Sequence, residues 1–125
     1  MLKVIIVGFG GFFGSIFRYL IYLLSNNLIG YSFPFGTILV NVIGCFLIGL
    51  IYQIFSDMIS LSDNLKLFMT IGFLGGFTTF SAFSLDVFLL YQSNSKLVAI
   101  IYIFITLVLS LLAMLGGMWI FKAYN

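Results

Sequence analysis

The sequence predicts an all-α membrane protein of four transmembrane helices, with the third helix broken near mid-membrane. Three observations carry this. The chain of 125 residues is 63% hydrophobic and only 6% charged, whereas soluble domains carry about 25% charged residues. Its mean hydropathy is +1.30. Four stretches are apolar for long enough to cross a bilayer, which takes about 20 residues of helix. The third stretch carries adjacent glycines and adjacent threonines at mid-depth.

The four stretches are Val4–Leu24, Phe35–Phe55, Lys66–Tyr91 and Leu97–Phe121, and they make one domain over residues 1–125. Ser25-Asn26-Asn27 and Gly30-Tyr31-Ser32 end the first span. Pro34, the only proline, suits the first turn of the second, where its missing N–H costs nothing. Ser56-Asp57 through Asp63-Asn64 form the next loop, and Gln92-Ser93-Asn94-Ser95 a short turn before the fourth span. Loops this short leave no room for an extramembrane domain. Lys3 ahead of an apolar run has the look of a signal peptide, but no small-x-small cleavage site follows, and Gly11, Gly14, Ser15 and Arg18 interrupt the run.

Four crossings put both termini on one side. Lys3, Lys66 and Lys122 lie on that side; Lys96 lies on the other, with Arg18 inside the first span and nearer that end. This is a weak bias under the positive-inside rule. It leaves open a single topology with the Lys-rich side in the cytoplasm, or insertion both ways with antiparallel pairing. Four helices can hardly enclose an aqueous path and still pack a core, so transport would favour a dimer.

Composition also removes chemistry. There is no His and no Glu, and the acids are Asp57, Asp63 and Asp86. General acid–base pairs, zinc ligand sets and triads cannot be assembled around Cys45, so no enzyme is expected. One cysteine forms no intrachain disulfide. A net charge of +2 does not point to nucleic acid.

Polar groups are costly in hydrocarbon unless satisfied, so their positions are informative. On the first span Gly11, Ser15 and Arg18 share a face, with Gly10 and Gly14 beside it. Small residues allow close helix packing; Arg18 needs a water-filled vestibule, a partner or a snorkelling route. On the second span Thr37, Asn41 and Gly44 share a face. The Asn41 amide is either interhelical glue or a donor to an anion. The third span reads Gly75-Gly76-Phe77-Thr78-Thr79-Phe80-Ser81-Ala82-Phe83. Glycine weakens a helix by about 1 kcal/mol. A break there would expose carbonyls, which a membrane tolerates only when they are buried in protein or line a cavity; freed carbonyls suit Na⁺ or K⁺. Phe80 and Phe83 lie three apart just beyond the break, as lipid-facing rings or as part of a site. The fourth span carries a hydroxyl stripe of Tyr102, Thr106 and Ser110 at steps of four, followed by Gly116-Gly117, read as packing residues.

Gly36-Thr37-x-x-Val40-Asn41-x-x-Gly44, the third-span motif, and Gly11-x-x-Gly14-x-x-x-Arg18 ahead of them resemble the Fluc (CrcB) family of fluoride channels, in motif order, span count and length. The third-span motif is the most specific part. The resemblance implies an antiparallel, dual-topology homodimer in the cell membrane that exports fluoride passively through two pores. A structural Na⁺ at the dimer centre would be held by the backbone carbonyls of Gly75 and Thr78. Asn41, Phe80 and Phe83 would be pore residues, Arg18 a vestibule residue, and the stripe a polar track. Thr37 and Ser81 join the candidate pore set. Ala82 stands where many members have a hydroxyl residue, which puts a side-chain donor there in doubt. Heterodimers of paired paralogues also occur in the family.

The chemistry is consistent. Fluoride is strongly hydrated, so a pore must replace its water with donors. An aromatic ring has a positive edge that can face an anion. A cation ~10 Å away would contribute roughly 1.7 kcal/mol at an effective dielectric of ~20. The main rival is a small multidrug or quaternary-ammonium exporter, which needs an embedded carboxylate, usually Glu. Asp86 is the sole acid within a span, and it lies toward the end of the third. A non-transporting assembly subunit would leave Arg18, Asn41 and the threonine pair idle.

Overall fold

The computed structural model describes residues 1–57, 62–93 and 96–124. Residues 58–61 of the second loop, and Asn94 and Ser95 of the last turn, lie outside the described residues. Helix α1 spans Leu2–Ile29 and α2 Phe35–Asp57. The third span comprises α3 (Asp63–Leu67), a π-helical segment (Phe68–Leu74), α4 (Gly75–Phe77) and, beyond Thr78 and Thr79, α5 (Phe80–Gln92). The fourth span is α6 (Lys96–Tyr124). Among the described residues, four spans are long and apolar enough to cross a membrane.

Helix α1 runs past its predicted end, through Ser25-Asn26-Asn27 to Ile29. Ser25 is buried against the other helices, and tertiary packing overrides its weak helix propensity. The helix stops at Gly30, whose φ of 101° suits glycine; the Gly30 N–H bonds the Asn26 carbonyl at 3.0 Å. Pro34 directly precedes α2. The Ser62 hydroxyl caps α3 by accepting from the Leu65 N–H at 3.3 Å.

Apolar side chains gain little by leaving lipid for one another, so membrane helices associate through close packing. Glycines provide it here. A Cβ on Gly14 would strike the Phe73 carbonyl, and one on Gly10 would lie 2.6 Å from the Phe68 carbonyl oxygen. These two residues seat α1 on the π-helical segment. On the other side, Gly49 faces the Met114 carbonyl and Gly117 the Phe46 carbonyl, which brings α2 and α6 together. Gly117 is thus a packing residue as expected, whereas Gly116 faces open space. The two halves of the third span pack on different partners: the π-helical segment and α4 against α1, and α5 against α6.

The break lies within the expected segment, at its threonine pair. Gly75 and Gly76 remain helical in α4, and the chain turns extended at Thr78 (ψ 160°) and Thr79 (φ −154°, ψ 116°). Gly76 is small for another reason: a Cβ there would lie 2.6 Å from the Gly11 carbonyl oxygen. The β-branched threonines favour extended backbone, and side chains from other helices hold them there.

Candidate functional site

The Thr78–Thr79 break is gripped from α1 and α2. The Thr79 N–H donates to Asn41 Oδ1 at 2.9 Å, and Asn41 Nδ2 donates back to the Thr79 carbonyl at 3.1 Å. The amide therefore pairs with the backbone of one residue as a neighbouring strand would. Arg18 Nη1 donates to the Thr78 carbonyl at 3.2 Å. Its charge stands at the C-terminal end of α4, where a helix dipole favours a cation. Thr78 Oγ1 donates to the Leu74 carbonyl at 2.9 Å. Thr79 Oγ1 accepts from the Ala82 N–H at 3.1 Å and caps α5.

Beside the break lies a groove of about 490 Å³, lined in part by Asn41, Thr79, Phe80, Phe83, Thr106 and Ser110. Phe83 is buried and stacks on Tyr102, ring centroids 5.5 Å apart. Phe80 is 73% exposed on the single chain, with its ring 5.4 Å from that of Phe83. Ser81 is exposed, its hydroxyl 3.3 Å from that of Thr79. Gly75 also borders the groove and is exposed.

A second cavity, of about 400 Å³, opens near the α1–α2 connection and is lined in part by Tyr22, Asn26, Thr37 and Asp86. Here all four spans meet. The Thr37 and Tyr102 hydroxyls both donate to Asp86 Oδ2, at 2.6 and 3.0 Å. The Tyr22 hydroxyl lies 3.3 Å from that of Thr37. The Phe83–Tyr102 stack links the two regions: Phe83 lines the groove, and Tyr102 bonds Asp86, which lines the second cavity.

Thr37, Asn41 and Gly44 do share one face, and all three meet the third span: Thr37 at Asp86, Asn41 at Thr79, and Gly44 at the Thr78 methyl. The hydroxyl stripe divides into three situations. Tyr102 is fully buried and spent on Asp86. Thr106 bonds back to the Tyr102 carbonyl at 2.7 Å. Ser110 lines the groove beside Cys45, its oxygen buried and the thiol its nearest polar neighbour. Arg18 finds a backbone partner rather than only a wet vestibule. Sequence reasoning placed Thr79 in the break without its contacts, weighed Asp86 only for the rival exporter, gave Tyr22 no role, and did not place Cys45 on the groove wall. A signal for Asp86 existed: it lies three residues after Phe83, one helical turn along the same face.

Residues 5–118 match the family described as CrcB-like protein, Camphor Resistance (CrcB). The chain belongs to the CrcB family. Its relatives include a protein of Rhizobium johnstonii named "Fluoride-specific ion channel FluC", 42% identical over 123 residues, covering 98% of both chains. A protein of the same name from Agrobacterium fabrum is 42% identical over 118 residues and 94% of both chains. Another, from Leptospira interrogans, is 40% identical over 98% of this chain and 96% of its own. Break, groove and carboxylate cluster all lie within the matched residues of this CrcB chain, a multi-pass membrane protein.

Proposed function

We propose that this CrcB-family chain is a fluoride-specific ion channel that exports fluoride passively across the cell membrane. The full-length likeness to relatives of that name carries the reading. The groove supplies the means. An amide nitrogen carries two N–H groups, and Thr79 uses one on Asn41, which leaves the other to replace water around an anion. The Ser110 hydroxyl and the edges of Phe80 and Phe83 offer further positive contacts. Such a channel is no enzyme: a cell interior negative by 100 mV drives a monovalent anion outward with about 2.3 kcal/mol.

The conducting unit in this reading is an antiparallel, dual-topology dimer with two pores, its partner a second copy or a paralogue. Support comes from the single chain's open groove and from the exposure of Phe80 and Gly75 at its edge. Two chains would bring the Gly75 and Thr78 carbonyls to the dyad as four neutral oxygens. That donor set suits a monovalent cation such as Na⁺, since divalent ions normally recruit carboxylates. When bound, the ion would add a fixed positive charge near the anion path. The Thr78 carbonyl would share its two lone pairs between this ion and Arg18. The exporter reading has less support: both donors to Asp86 come from the chain itself, leaving a cation-exchange site half filled.

The test is purified protein in liposomes with a K⁺ ionophore to short-circuit the voltage. Fluoride should be released and chloride retained. Equal release of both, or of neither, would overturn the proposal.

A further inference from the structure

We infer that Asn41 is a positioning residue that assembles the carbonyl site at the break, by taking the one N–H that would otherwise consume the Gly75 carbonyl. In a continuous α-helix the N–H of each residue closes on the carbonyl four positions earlier. Past the π-helical segment this pattern is met at Thr78, whose N–H bonds the Leu74 carbonyl at 3.0 Å. The next N–H, of Thr79, would close on Gly75. It goes instead to Asn41 Oδ1 at 2.9 Å.

The same diversion recurs three residues on. The Ala82 N–H would close on the Thr78 carbonyl, but it goes to the Thr79 hydroxyl at 3.1 Å. Two side-chain acceptors thus remove the two donors that would have satisfied Gly75 and Thr78, the carbonyls proposed to face a cation. Of the two acceptors, Asn41 is the one contributed by another helix. Its return bond from Nδ2 to the Thr79 carbonyl fixes which end of the amide faces which group. In hydrocarbon a stranded N–H seeks the nearest acceptor. Without Asn41 Oδ1, the nearest acceptor in sequence is the Gly75 carbonyl, and closing that bond would extend α4 and remove a ligand.

This inference rests on the proposed Na⁺ site, and the experiment separates the two. The thermal unfolding midpoint of the purified dimer is measured against NaCl, with N-methylglucamine chloride holding ionic strength constant. The parent midpoint should rise with Na⁺, because a ligand bound only to the native dimer stabilises it. No rise in the parent would overturn the cation site and this role with it, while leaving fluoride conduction standing. Given a rise, Asn41→Leu should need about tenfold more Na⁺, or lose the response. Asn41→Asp keeps an acceptor for the Thr79 N–H and should keep the response, although its flux is lost. Equal responses in parent and Asn41→Leu would overturn the inference.

A backbone variant covers a leucine mutant that fails to fold. Incorporating an α-hydroxy acid at position 79 replaces the amide with an ester and removes the N–H. With no donor to divert, the Gly75 carbonyl stays free whatever occupies position 41. The same link weakens the Thr78 carbonyl as a ligand, so the ester with Asn41 present sets the reference Na⁺ response, and adding Asn41→Leu should shift it no further. A further loss of about tenfold on adding Asn41→Leu to the ester would overturn the inference.

Discussion

Asn41 has an amide whose oxygen is committed to the backbone and whose nitrogen is half committed. Asn41→Asp keeps the acceptor but removes both donors and sets a negative charge in the proposed path. Fluoride efflux from liposomes should fall at least about 100-fold, given that each 1.36 kcal/mol of barrier is tenfold in rate. Unchanged efflux from a correctly folded variant would take Asn41 out of the path. The two phenylalanines, treated alike in the sequence reading, differ in surroundings. Phe83 is buried against Tyr102, while Phe80 stands exposed. Phe80→Ile and Phe83→Ile should both cut efflux strongly, because the positive ring edge is lost. Phe83→Ile, which breaks both ring pairs, should lower stability of the fold by about 1 kcal/mol more than Phe80→Ile, which breaks one. Parent-like efflux in both would make the rings packing residues. Thermal melts of the two variants check the difference in stability.

The third span works as an element because its two halves have different partners. The π-helical segment and α4 sit on α1 through Gly10, Gly14 and Gly76; α5 sits on α6. A straight helix could not follow both, and the extended Thr78–Thr79 link absorbs the change in direction. The seat on α1 tolerates no side chain at Gly14, where a Cβ would meet Phe73 backbone. Gly14→Val should destabilise the protein by about 2 kcal/mol or more, as overpacking does. It should also disturb Arg18, one turn further along α1 and bonded to the break. Gly116→Val meets open space and is the control; a melt in which both variants match the parent would contradict this packing.

At the scale of the whole molecule, the single chain leaves much apolar surface outside, including Phe9, Phe12 and Phe17 on α1 and Leu111, Leu115 and Trp119 on α6. Lipid can cover these rings, but it offers no hydrogen-bond partner to the Asn41 amide and the backbone of the break, which the largely apolar groove contains. A second, inverted copy would cover it. The weak Lys bias, with Lys3, Lys66 and Lys122 opposed by Lys96 and Arg18, is what insertion in both directions requires. A tag on one terminus should be labelled by membrane-impermeant reagent from both sides at near-equal levels. Labelling from one side alone would exclude the homodimeric antiparallel arrangement, leaving a heterodimer.

The spans and their order were legible in the chain itself, as were several of the polar residues set within them. Hydrocarbon enforces this: an apolar run of 20 residues has no stable form there but a helix, and a polar residue inside it must meet a partner. Thr37, Asn41 and Gly44 could be placed on one face by helical spacing alone. What they meet could not, because Asp86, Thr79 and Thr78 lie 34 to 49 positions away in sequence, and spacing within a helix says nothing about its neighbours. The break illustrates the division. Propensity pointed to both Gly75-Gly76 and Thr78-Thr79, yet the glycines stay helical so that α1 can approach. The chain opens instead at Thr78-Thr79, where Asn41 and Arg18 on two other helices supply the hydrogen bonds that the third span gives up.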